Sequence, residues 1–244
     1  MDSLPAHGLA NTITGFATLF SGAIALAFCH WVGPQPARWR FAYWMIVVTG
    51  VFTVTLHGFG ETMTGFGPRW FWAFLDTGSN IVVAWAIALA VLGDYYTPEL
   101  QRRARPLLTL AMLVGVAWHL YDRLPGTERA YLIPLGSWGG FYPGESWLIA
   151  FSWLVALLFW ARREQIPARA KPLLLLVVAI FFTGMLLASA SNEQIVYPFF
   201  AMHALWHLVG AFGFVTLWAF NHVRFAPAWR EVAPASPAPR VPRG

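Results

Sequence analysis

The chain has 244 residues, of which 58% are hydrophobic, 17% aromatic and only 11% charged, with a formal net charge of +5. Water-soluble domains carry about twice that share of charged residues, so the balance excludes an ordinary soluble enzyme and points to an all-α integral membrane protein. Nucleic acid is excluded as a partner, because the arginines gather beside the ends of apolar stretches and form no basic stripe interleaved with aromatics.

Segments long enough to cross a hydrocarbon core of about 30 Å are predicted, in chain order, near 10–29, 41–62, 70–92, 106–121, 146–161, 172–190 and 198–221. The fourth and fifth are short, which leaves six or eight crossings open, but a seven-transmembrane helix bundle fits the charges best. Arg38 and Arg40 follow the first segment, Arg102, Arg103 and Arg105 precede the fourth, and Arg162, Arg163, Arg169 and Lys171 precede the sixth. The intervening connections are poor in unopposed positive charge. By the positive-inside rule the three basic connections face the cytoplasm and the N-terminus lies outside. The expected organisation is a seven-helix transmembrane domain over 1–225 and a disordered Pro/Ala/Arg-rich cytoplasmic tail over 226–244. The start at Met1, Asp2 and Ser3 lacks the basic opening of a cleaved signal peptide, so the first helix is expected to be retained. Lys171 is the single lysine among 16 basic residues, a bias that fits a high-GC bacterium and hence an inner-membrane location.

Cys29 is the only cysteine, which removes a disulfide or thiolate cluster and leaves His, Asp and Glu for any metal. The second segment carries Thr53, His57 and Glu61 at successive i+4 positions, and the third carries Asp76, Ser79 and Asn80 near its start. The last carries His203 and His207, which share one helix face. These two lie roughly 8–14 Å into their helix at 1.5 Å per residue, level with His57 and Asp76. Intramembrane ionisable groups are costly and mark functional sites. Three imidazoles suit zinc, which takes them in a tetrahedron and leaves the fourth position to water. His57, His203 and His207 are the predicted ligands, with Glu61 in reserve. Asp76 is the predicted base, and Thr53 or Ser79 a hydrogen-bonding partner for water or a developing oxyanion. His30, His119 and His222, near helix ends, are expected at the interface, and Gly210 is expected to permit close helix contact.

A hydroxyl residue four places before a His on the second helix, an Asp on the third and His-x-x-x-His on the seventh together resemble one known superfamily. It joins the alkaline ceramidases with the progestin and adipoQ receptors. The match is carried by Thr53 and His57, by Asp76, and by His203 and His207. The resemblance implies seven helices, a zinc ion on the three histidines and ceramidase-like hydrolysis of a lipid amide or ester. An outside N-terminus looks more like the ceramidase branch.

Two other classes stay open from the sequence. One is a non-catalytic receptor or transporter whose histidines bind a ligand or relay protons; the other is a b-type haem electron-transfer protein ligated by His57 with His203 or His207. A retinal pigment is excluded, since the seventh segment has no lysine. The apolar, Gly-rich run Leu132 to Tyr142 is a candidate interfacial lid or a loosely packed loop. A lipid substrate is expected to enter from the outer leaflet with its acyl chain in the bundle.

Overall fold

A computed structural model describes residues 6–60, 67–128, 130–135, 140–189, 196–197 and 200–232. Seven helices dominate it: α1 (Ala6–Trp31), α2 (Ala37–Thr55), α3 (Arg69–Tyr95), α4 (Pro98–Arg123), α5 (Pro143–Ala161), α6 (Lys171–Ser189) and α7 (Met202–Val232). Among the described residues all seven are long and apolar enough to cross a membrane, which fits a multi-pass membrane protein. The ends follow from local chemistry. Pro36 and Pro68 stand just before α2 and α3, and Pro98 and Pro143 occupy the first turns of α4 and α5, where a missing N–H costs nothing. Thr97 caps α4 by accepting from the Leu100 amide at 3.4 Å. In α5 the Glu145 carboxylate reaches back to accept from the Tyr142 amide at 3.3 Å.

Two boundaries differ from the sequence reading. Helix α4 begins at Pro98 rather than near 106, because its first turns are polar and escape an apolar-run criterion while still being capped. Helix α7 continues to Val232, past the end of the apolar run, so the expected tail begins within a helix; residues 233–244 lie outside the described residues. Short antiparallel pairs occupy two connections: β1 (Ile133–Pro134) with β2 (Gly140–Phe141), and β3 (Val196–Tyr197) with β4 (Phe200–Ala201). The candidate lid thus includes a short antiparallel pair; residues 136–139 lie outside the described residues, as does Glu61.

Helices α1, α2, α3, α5, α6 and α7 form a ring, and α4 packs outside it against α3 and α5. Helices α5 and α6 barely touch, which leaves a seam in the wall. Two glycines set the tightest contact in the ring. A Cβ on Gly50 would lie 2.4 Å from the Leu19 backbone, and one on Gly22 would lie 2.8 Å from the Val47 amide, so α1 and α2 meet backbone to backbone only because neither residue has a side chain.

The bundle has two unlike ends. At one, the connections hold most of the arginines, and the largest apolar cluster packs nearby around Trp39, Tyr43, Ile46, Leu217 and Phe220. A polar network is embedded there. Asp94 accepts from Arg38 and Arg224 and, at 2.8 Å, from the Trp39 indole. Arg224 also donates to Asn221 Oδ1 at 2.9 Å and to the Tyr95 hydroxyl at 2.8 Å. Asn221 donates to the Tyr43 hydroxyl, which donates to Gln35 Oε1, both at 2.8 Å. Burying an arginine is tolerable only when every donor is answered. Here α2, α3 and α7 supply the answers and are thereby fixed in register. The opposite end holds His57, His203 and His207.

Candidate metal centre

His57 lies just beyond α2, in a single π-helical turn, Leu56–Gly60. Such turns are rare and concentrate at functional sites because they rotate a side chain away from the regular helical position. The local sequence permits it: Gly58 and Gly60 are poor helix formers, and Gly58 sits against Thr12 of α1, where a Cβ would come within 3.3 Å of the Thr12 methyl group. From α7, His203 and His207 both project towards His57.

The three rings converge. His57 and His203 bring their Nε2 atoms to 3.0 Å, and their ring centroids lie 4.9 Å apart. The His207 centroid is 5.3 Å from that of His57 and 4.5 Å from that of His203. One ligand atom from each histidine falls within 4.8 Å of the others. Nitrogens held tetrahedrally at 2.0–2.1 Å from one ion stand about 3.3 Å apart, so small adjustments of the rings, slightly opening the His57–His203 pair, meet that requirement. His57 and His207 are buried and His203 is half-buried. His207 Nε2 is buried without a hydrogen-bond partner, although its Nδ1 lies 3.1 Å from the Thr14 hydroxyl. A buried, unanswered imidazole nitrogen beside two other imidazoles is a donor set suited to a divalent cation. The cluster can therefore hold a metal ion.

One turn before His57, the Thr53 hydroxyl contacts both Asp76 Oδ1 on α3 and, at 3.0 Å, the Thr49 carbonyl. Asp76 is only 2% exposed, so its carboxylate sits inside the bundle. The structure thus joins Thr53 to Asp76, a contact that the sequence reading did not include, and His57 follows one turn later in the π-helical turn. Ser79 takes another direction. Its hydroxyl donates to the Asp76 carbonyl at 2.8 Å, and the residue lines a separate groove with Met45, Phe52 and Phe74. Successive helical residues turn by about 100°, so Asn80 rather than Ser79 faces the interior.

That interior is a cavity of about 150 Å³ lined by every helix except α4. One water needs roughly a tenth of this space, so the cavity has room for an organic chain. His207, Trp206, Thr53 and Asn80 line one end, and Phe159, Leu174 and Leu217 the other. From His207 to Leu217 the helix rises about 15 Å. Between them Gly210 lines the wall, and a Cβ there would meet nothing within 4 Å. The expectation of a close helix contact at Gly210 is thus overturned: its missing side chain widens the cavity. At the α5–α6 seam the cavity is bounded by Trp153 and Phe182, which are 51% and 47% exposed, with ring centroids 6.4 Å apart.

His119 also departs from expectation. It is fully buried rather than interfacial, because α4 packs it against two glycines: a Cβ on Gly144 would lie 2.5 Å from His119 Cα, and one on Gly78 would lie 3.4 Å from its ring. Next to it Asp122 accepts from the Gly144 amide at 2.5 Å and so caps the start of α5 from a neighbouring helix. Neither Thr14 nor the Asp94 network was visible in the sequence pattern. Comparison of the chain with models of known families, with curated proteins and with solved structures finds no match.

Proposed function

We propose that this is a zinc-dependent intramembrane hydrolase that cleaves the amide or ester bond of a lipid, as the resemblance to the alkaline ceramidase and adipoQ receptor superfamily implies. One observation carries the reading: three imidazoles converge at one end of an apolar cavity long enough for an acyl chain. His57, His203 and His207 are the ligands. Zinc held there supplies Lewis acidity toward the scissile carbonyl and makes water acidic enough to deprotonate near neutral pH.

The protein's own groups do the rest. The buried Asp76 carboxylate takes the proton of the attacking water and returns it to the leaving amine or alcohol. Thr53, hydrogen-bonded to Asp76, holds that carboxylate in place beside the turn that carries His57. The apolar wall from Gly210 to Leu217 takes the acyl chain and excludes water from it. By the positive-inside rule we take the end with the basic connections as cytoplasmic, which would put the N-terminus and the three histidines in the outer half of the membrane. Substrate then enters from the outer leaflet, through the α5–α6 seam. The 3.0 Å approach of His57 and His203 argues against a haem held between that pair, since a macrocycle cannot lie between nitrogens that close.

The test is elemental analysis of detergent-purified protein alongside fatty-acid release from lipid amides, with and without chelator. About one zinc per chain, lost in each of His57→Ala, His203→Ala and His207→Ala, and chelator-sensitive release are expected. Absence of zinc under metal-preserving conditions refutes the reading. Zinc without release favours a receptor.

A further inference from the structure

Helix α1 reaches His207 through the Thr14 hydroxyl and the Asn11 backbone, and of these two contacts Thr14 supplies the side chain. Thr14 is 5% exposed, and its Oγ1 lies 2.8 Å from the Ala10 carbonyl, 3.3 Å from the Asn11 carbonyl and 3.1 Å from His207 Nδ1. A threonine hydroxyl has one hydrogen to donate and lone pairs with which to accept. A carbonyl oxygen can only accept. The hydrogen therefore goes to Ala10, the shortest of the three contacts, and the oxygen is left to accept from the His207 ring.

That arrangement decides which ring nitrogen of His207 carries its proton. Nδ1 donates to Thr14, so Nε2 holds the lone pair, and Nε2 is the buried atom without a hydrogen-bond partner. The opposite arrangement, with Thr14 donating to Nδ1, would put an N–H on Nε2 where no acceptor answers it. A buried donor left unanswered costs about 1–3 kcal/mol.

We propose that Thr14 is a positioning residue for the metal centre: its hydroxyl selects the His207 tautomer that offers Nε2 to the ion and fixes the angle of the ring. This rests on the reading of the three histidines as metal ligands and adds a fourth helix to the site. Histidine ligands to zinc generally donate their second nitrogen to such an oxygen, and removing the partner weakens metal binding about 10- to 100-fold.

The experiment measures zinc affinity by competition with a chromophoric chelator on the purified full chain. Thr14→Val keeps the shape of the side chain and removes the oxygen; it is expected to bind zinc about 10- to 100-fold more weakly at an unchanged melting temperature. Thr14→Ser restores the oxygen and is expected to bind within about threefold of the unmodified protein. Ser21→Ala, which removes a hydroxyl bonded to the Thr18 carbonyl of its own helix at 2.7 Å, is expected to leave affinity unchanged. Equal affinity in Thr14→Val and the unmodified protein overturns the proposal and leaves the three-histidine site standing. Equal weakening in Thr14→Val, Thr14→Ser and Ser21→Ala also overturns it, since the loss would follow from disturbing α1. An unmodified protein that binds no zinc defeats the metal reading itself.

Discussion

Gly210→Leu tests whether a chain occupies the cavity beside α7. The substitution is sterically permitted, because an added Cβ meets no atom within 4 Å. It also replaces a residue that costs a helix about 1 kcal/mol by one close to alanine, so the melting temperature is expected to hold or rise. The new side chain projects into the space through which a ligand must pass to reach Leu217. Each buried methylene is worth about 0.8 kcal/mol, so displacing three or four removes about 2.4–3.2 kcal/mol. At 1.4 kcal/mol per tenfold this is a loss of about 50- to 200-fold, confined to chains long enough to pass Gly210. The assay is displacement of a fluorescent fatty acid from protein in lipid nanodiscs by saturated fatty acids of increasing length. In the unmodified protein affinity should climb with each added carbon; in the variant the climb should stop early. An identical length profile refutes the placement of the chain, and a clear fall in melting temperature refutes the claim that Gly210 faces open space.

Asp76→Asn preserves size and a partner for Thr53, so zinc content should persist while lipid-amide hydrolysis falls about 10²- to 10⁴-fold; near-normal turnover refutes a role as base. Asp94→Ala leaves the Arg224 side chain, 4% exposed, without its counter-charge, which should lower stability by about 3–5 kcal/mol in thermal unfolding; a loss below about 1 kcal/mol, the scale of an exposed pair, refutes its role as the fastening of α2, α3 and α7. In a Cys29→Ser background, a membrane-impermeant thiol reagent added to intact cells should label Ile133→Cys and not Glu99→Cys; the reverse pattern inverts the proposed orientation and the route of substrate entry.

Helix number was readable in the sequence because a spanning helix must be apolar along its whole length. The same criterion misplaced the start of α4, whose first turn is built from Pro98, Glu99, Leu100 and Gln101 under a Thr97 cap. His203 and His207 declared themselves by spacing, and helical periodicity aimed both at one neighbour. Thr14 did not, since a threonine in an apolar helix usually satisfies itself on its own backbone, as Thr12 and Thr183 do. Nor did Gly210 or the glycines facing His119. A glycine that opens a cavity and one that closes a contact look the same in sequence, and only the neighbour across the gap tells them apart.

The positions of the ligands along the chain bear on how the protein is made. His57 and His203 are 146 residues apart, and the Thr14 contact to His207 spans 193. Helices α1 and α2 can dock as soon as both are inserted, through the paired glycines Gly22 and Gly50. The site then holds one imidazole, too few to retain an ion. Two more arrive only with the last helix. An ion on the three histidines would therefore be taken up only after α7 has been made, so its presence would mark a bundle that already holds both its early hairpin and α7. A product truncated before residue 203 should still insert its early hairpin and bind no metal, which expression of such fragments followed by metal analysis can establish.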